Sequence, residues 1–146
     1  MINKISPGKI RAVAICICRQ GERILVFEGY DTVKKEVFYR PLGGTIEFGE
    51  RSEEAVRREF REEIGAELEE LRYLGTLENI FTCDGKGGHE IVQVYDGRLT
   101  DPGFYEKETF TGDEMGTPFK ALWVRLDAAG QPPIYPDGLV EMLKKF

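Results

Sequence analysis

Between Gly44 and Ala66 the chain reads GTIEFGERSEEAVRREFREEIGA, a glycine turn feeding one short and very acidic helix. No other stretch restricts the fold as tightly. Gly43 and Gly44 carry no Cβ, so the backbone there can approach a ligand closely. Ser52 reads as the N-cap, followed by Glu53 and Glu54 in the first turn, where the helix dipole favours negative charge. The helix is expected from about Glu53 to Ile64, with Gly65 just past its end as the stop.

Projected at about 100° per residue from Glu59, Glu63 falls at about +40° and Glu62 at about −60°. Val56, Phe60 and Ile64 fall at about +60°, +100° and +140°, which makes them the core-facing stripe. Three carboxylates therefore share a sector of about 100° that overlaps the edge of the apolar stripe. Arg58, at about −100° and four residues before Glu62, is placed to brace it. Charge on a helix usually marks a solvated face laced with ion pairs, and Arg58–Glu62 fits that pattern. Glu59–Glu62 and Glu59–Glu63 do not, because like charges at those spacings repel by roughly a few tenths of a kcal/mol even in water. A bound hard cation reverses the sign of that interaction. Mg²⁺ takes oxygen ligands, commonly one or two carboxylates with substrate phosphate and water.

The same stretch resembles the Nudix box: Gly, five residues, Glu, seven residues, Arg-Glu, a bulky apolar residue, any residue, Glu-Glu, any residue, Gly and an apolar residue. Gly44, Glu50, Arg58, Glu59, Phe60, Glu62, Glu63, Gly65 and Ala66 fill those places. Seven of them are fixed identities. At about 7% usage per residue type, a chance match from any one start is on the order of one in 10⁸. Ala66 is smaller than the usual aliphatic, which touches packing after the helix rather than chemistry.

The resemblance implies an α+β fold, the Nudix α/β/α sandwich with a mixed β-sheet. It implies hydrolysis of a phosphoanhydride in a nucleoside diphosphate linked to another moiety, with Mg²⁺ (or Mn²⁺) as cofactor. Carried over position by position, Glu59 and Glu63 are the principal metal ligands. Glu62 joins a second ion or orients the first, and Gly44 offers its carbonyl. Glu50 is an outer ligand or a helix brace, Arg58 holds a glutamate, and Gly65 closes the helix. The general base varies within the family. It is Glu59, or a carboxylate outside the box, for which Glu90 is the nominee. A triphosphate pyrophosphatase and a nucleotide-sugar or ADP-ribose hydrolase both remain open. The competing class is a non-catalytic nucleotide-binding sensor on the same fold, against which the intact box weighs. Many relatives dimerise, so a homodimer is an open expectation.

Size and charge restrict the rest. A chain of 146 residues is expected to form one domain, 1–146, with a real core. A net charge of −6 argues against a protein that coats a nucleic-acid polymer, whose affinity would come from a basic face. It does not argue against a phosphate substrate, since a metal supplies positive charge locally. No apolar run approaches a membrane span, and MINKISPGKI lacks a signal-peptide core. Cys16, Cys18 and Cys83 include no CxxC pair and read as reduced core thiols, with the cytoplasm as the natural compartment.

Along the chain, Lys9 to Arg19 reads as a buried strand and Arg23 to Phe27 as its hairpin partner. Gly29 to Glu36 reads as a polar loop at the mouth of the site. Val37 to Tyr39 is expected as a short strand ended by Pro41. Arg40 is a candidate phosphate contact, or equally a partner for nearby acids. Leu68 to Phe81 carries one or two strands broken near Gly75. Cys83 to Gly88 reads as a mobile loop, and His89 to Leu99 as a strand opened by Glu90. Thr100 to Pro118 is expected as a long surface excursion, with Glu114 a site candidate. Phe119 to Leu126 is a strand with Trp123 in the core, and Asp137 is expected to cap a final amphipathic helix.

Overall fold

The apolar run after Lys9 becomes strand β1 (Ile10–Gln20) in the computed structural model, which describes residues 5–146. Val13 to Cys18 are all buried. A strand covered on both faces reads as a continuous apolar run rather than an alternating one. Strand β2 (Arg23–Asp31) returns from it, but the two pair only at Arg19–Ile24 and Gln20–Arg23 before they diverge. Strands β3 (Glu36–Arg40) and β4 (Gly43–Thr45) fill the wedge, β3 against β2 and β4 against β1. Pro41 and Leu42 thus carry the chain from one half of the sheet to the other.

Beyond the wedge come α1 (Ser52–Ile64), β5 (Leu68–Cys83), β6 (Lys86–Leu99), α2 (Gly103–Glu106), β7 (Thr109–Glu114), β8 (Thr117–Arg125) and α3 (Leu139–Leu143). The eight-stranded sheet is mixed, in the order β5-β6-β1-β2-β8-β7, with β1–β6 its parallel pair. Val56 and Phe60 of α1 pack with Ala14, Cys16 and Phe27 on one face. Leu139 and Leu143 of α3 pack with Val13, Ile15 and Val92 on the other. This is the expected α+β Nudix sandwich. Cys16, Cys18 and Cys83 are free and buried, and Trp123 lies in the core stacked on Tyr105.

Several local expectations need correction. Strand β2 runs on to Asp31, so the loop at its end is only the turn 32–35. Cys83 to Gly88 is a tight β5–β6 hairpin, not a mobile loop. The Asp84 carboxylate accepts from the Thr32 amide at 2.7 Å and the Thr32 hydroxyl at 2.8 Å, tying the two turns together. The expected excursion after Thr100 folds as α2 and the β7–β8 hairpin. Strand β5 is continuous, with register shifts at Glu69/Arg72 and Tyr73/Gly75 instead of a break. Ser52 does not cap α1: its hydroxyl bonds the Tyr95 hydroxyl at 2.5 Å, and Arg51 holds the N-cap position with no side-chain cap. Gly138 (φ 87°), not Asp137, precedes α3. The expectation about MINKISPGKI falls partly on residues 1–4, outside the described residues.

One device recurs in the hairpins. Phe38 lies opposite Gly29, Phe81 opposite Gly88 and Phe119 opposite Gly112. In each case a Cβ on the glycine would overlap the facing ring. A ring laid over a bare glycine is a cross-strand contact that pins register.

Candidate active site

Helix α1 ends as its residues dictate. Gly65 adopts the left-handed conformation (φ 66°), and its N–H and that of Ala66 return to the carbonyls of Arg61 and Phe60. Burial of Val56 and Phe60 then fixes the helix rotation, which turns Glu59 and Glu63 inward as well. Glu63 is 4% exposed, and neither carboxylate oxygen meets a hydrogen-bond donor at good geometry among the described residues. Burial, then the Glu59 charge, raises its pKa to about 9. Burial also raises that of Glu59, opposed by the Arg58 guanidinium. Among the described residues no three His, Cys, Asp or Glu side chains are grouped so as to hold a metal ion by themselves.

Glu62 departs from the expected cluster. Its side chain is 59% exposed and turns toward Arg58, 3.2 Å away. The angular reason is simple: Glu62 and Arg58 share the far flank of the helix, where solvent costs a charge nothing. Arg58 is the hub of that flank. It donates to both oxygens of Glu50 (2.8 and 3.0 Å), to Glu59 (3.1 Å) and to the Thr45 carbonyl (3.0 Å). Glu50 therefore serves as the brace, its pKa lowered chiefly by Arg58, and its Oε1 also accepts the Glu47 amide.

Strand β4 brings the backbone against this face. A Cβ on Gly44 would overlap the Glu59 carboxylate, so only glycine leaves the carboxylate where it is. Gly43 has φ 152°, and a Cβ there would collide with the Ala14 carbonyl of β1.

Across Gly43 and Gly44 lies a group of opposite character. Arg11, Glu90 and Asn79 stand abreast on β1, β6 and β5. Arg40 reaches the same point from β3. It donates to Glu90 at 2.9 and 3.4 Å, Asn79 Nδ2 donates to Glu90 at 3.2 Å, and Arg11 stands 3.9 Å away. Glu90 is 2% exposed. Arg11, Arg40, Gly43 and Gly44 line a small cleft. Arg40 and Asn79 also line a cavity of about 410 Å³, bounded by Phe38, Phe81, Tyr135 and the turn after Asp31.

The structure thus brings Glu59, Glu63, Gly44, Glu50 and Arg58 together, and sets Arg40 and Glu90 in a second group, with Gly43 and Arg40 lining the same small cleft. Arg40 is partner to an acid, one of its two expected parts. Arg11 and Asn79 were not singled out from sequence. A charged residue near the start of an apolar strand, and an amide at the same parity as Leu77 and Phe81, were the available signals.

Known proteins give the same picture. A family model described as the NUDIX domain matches residues 8–146. A MutT Nudix hydrolase from Burkholderia pseudomallei is 22% identical, with a TM-score of 0.62 over 93% of this chain and 97% of that one. A structure from work on MutT of Aliivibrio salmonicida and Vibrio cholerae is 20% identical, with a TM-score of 0.60 over 94% and 100%. The E. coli ORF135 protein is 21% identical, with a TM-score of 0.58 over 94% and 90%. At such identities these structures testify to the fold.

Proposed function

This chain belongs to the Nudix family, as a Nudix pyrophosphohydrolase, and we propose on that premise that it cleaves the phosphoanhydride of a nucleoside diphosphate linked to another moiety, with Mg²⁺ or Mn²⁺ required. The observation that carries the metal is Glu63, a buried carboxylate that meets no donor at good geometry among the described residues, beside the buried carboxylate of Glu59. Burying an unpaired charge is costly unless a counter-ion arrives. Hard oxygen donors in an open arrangement fit Mg²⁺, which keeps positions for water and phosphate.

When bound, the ion neutralises diphosphate charge and activates a water. In this reading Glu59 and Glu63 would hold it, with Gly44 against Glu59, and Glu62, which pairs with Arg58 on the exposed flank, would have to turn from it to join a second ion. Glu50 and Arg58 fix Glu59 in place. Arg40 and Gly43 line the path of the diphosphate, where Arg40 offers donors suited to phosphate oxygens. Glu90, the outside nominee for general base, is read instead as the positioning residue for Arg40 and Arg11, because it is 2% exposed and its carboxylate is taken up by Arg40, Asn79 and the nearby Arg11. Glu59 then takes the proton of the attacking water. Water attacks phosphorus, the bridging P–O bond breaks, and the products are a nucleoside monophosphate and a phosphorylated remainder or pyrophosphate.

We read residues 1–146 as one Nudix domain. No helix of the described residues is long and apolar enough to cross a membrane, and the buried free thiols suit the cytoplasm as the compartment. The test is a panel of nucleoside triphosphates, nucleotide sugars and ADP-ribose with Mg²⁺, Mn²⁺ or chelator, ranked by kcat/KM. Metal-dependent release of monophosphate is expected. Tight nucleotide binding with no release under any metal would convert the reading to a sensor.

A further inference from the structure

Helix α1 covers only part of the sheet face it packs on. Ala14 and Cys16 of β1 pack with it and are buried. Side chains alternate along a strand, so Ala12 and Ile10 share that face. The helix no longer reaches them: Ala12 is exposed, and Ile10 is 63% exposed. Register extends the bare area sideways. Ile10 stands beside His89 of β6 and then Ile80 of β5, which is 72% exposed. Ala12 stands beside Ile91 and then Glu78. Farther along β5, Tyr73 lies opposite Tyr95 and is also exposed.

This face is poor in charge for a chain of which 32% of residues are charged. Between residues 73 and 82 of β5 and residues 87 and 95 of β6 it presents one carboxylate, Glu78, and one imidazole, His89. Neither makes an ion pair among the described residues. The polar groups nearby satisfy one another: the Thr76 hydroxyl bonds the Tyr73 hydroxyl at 2.5 Å and donates to Gln93 at 2.7 Å. Few charges, exposed isoleucine and exposed tyrosine are the composition of a buried protein–protein contact, and an apolar sheet face is ordinarily packed against another layer.

A block of four residues says what that layer is. Across the β5–β6 pair Glu78 faces Ile91 and Ile80 faces His89. The two isoleucines therefore lie on one diagonal, and the acid and the imidazole on the other. Paired strands are about 4.8 Å apart and alternate residues about 6.7 Å apart, so the diagonals cross at about 70°. A two-fold axis laid in the face along the isoleucine diagonal sets Ile80 against its own copy and Ile91 against its own copy. The same rotation brings Glu78 to the His89 of a second copy, and His89 to its Glu78. Like meets like on the axis and opposite meets opposite beside it, which is what an isologous contact needs.

We propose that two copies of this chain associate through this face, sheet against sheet, about that axis. The contact would also border the acidic helix. Ile46 donates to the Ala12 carbonyl at 2.9 Å, so the turn 47–50, with Phe48 fully exposed, follows β1 toward the edge of the face. Neither metal nor turnover enters the proposal, so it stands or falls apart from the catalytic reading.

The test is sedimentation velocity of the full chain over a concentration series, with chelator and without nucleotide. The unaltered chain is expected to dimerise with a Kd on the order of 10 µM. Ile80→Glu sets two carboxylates against each other on the axis and is expected to weaken the dimer about a hundredfold or more. The site is exposed, so the variant should melt as the parent does. His89→Glu is expected to weaken the dimer about tenfold, and adding Glu78→Arg to recover it to within about threefold. A chain that stays monomeric up to millimolar concentration would overturn the proposal and leave the face to a different protein. So would a dimer indifferent to Ile80→Glu, or a double variant that dimerises no better than His89→Glu alone.

Discussion

Two buried glutamates, Glu90 and Glu63, could not be more differently treated. Glu90 is met by Arg40, Arg11 and Asn79. Glu63 meets Glu59, a like charge, and no donor at good geometry. Both are on regular elements and both are nearly inaccessible, so burial alone does not separate them. What separates them is whether the fold itself supplies the counter-charge. Where it does, the carboxylate is finished structure that aims its partners. Where it does not, the carboxylate is held against its own preference and waits for something to arrive.

The comparison can be broken in several ways. The largest effect is expected from Glu59→Gln, a nearly isosteric change that removes the charge beside Glu63. It should lower kcat by about a thousandfold, or about 4 kcal/mol of transition-state stabilisation, while a thermal melt shows the fold intact. A parallel loss of stability would count against the division. Glu90→Gln should do the opposite. It leaves two guanidiniums short of an anion and should cost about 3 kcal/mol in a urea titration, with KM raised more than kcat is lowered. An unchanged stability would mean that the Arg11–Glu90–Arg40 group is not finished structure at all.

Metal linkage sharpens the contrast. At 100 times its dissociation constant Mg²⁺ should stabilise the protein by about 2.7 kcal/mol. Glu63→Gln should lose this shift in melting temperature and Glu90→Gln should keep it. Gly44→Ala should follow at about 2 kcal/mol, because the new methyl displaces the Glu59 carboxylate; its effect on activity should exceed its effect on stability. The smallest signal is in pH. Glu63 titrates at about 9 in the folded chain against 4.5 ordinarily. Between those values the metal-free folded state binds the extra proton, so stability should fall as pH rises through the window. Glu63→Gln should flatten that slope in a series of melts, and a slope of the other sign would refute the account of its burial.

The helix and its cap glycine were legible from residue types alone, because Val56, Phe60 and Gly65 act locally and the periodicity has one reading. The three-acid cluster was legible only to two-thirds. Projection gave the Arg58–Glu62 pair, but not that Glu62 would stay on the exposed flank while Glu59 and Glu63 turn inward. Chemistry at Asn79 and Arg11 was invisible because it depends on three strands, distant in the chain, lying abreast. The hairpin at Asp84 was hidden by its glycines. They signal freedom to a reader of composition, whereas here they serve a tight turn and a ring laid across Gly88.

That last arrangement reaches beyond the hairpins. The two phenyl groups that flank the large cavity, Phe38 and Phe81, are seated from behind on Gly29 and Gly88. Their slant is governed by positions that no bound molecule would ever touch. A single methyl at either glycine would tip a wall inward and reshape what the chain accepts. In a lineage diversifying its diet, the decisive substitutions would then lie where an inspection of contact residues would never look.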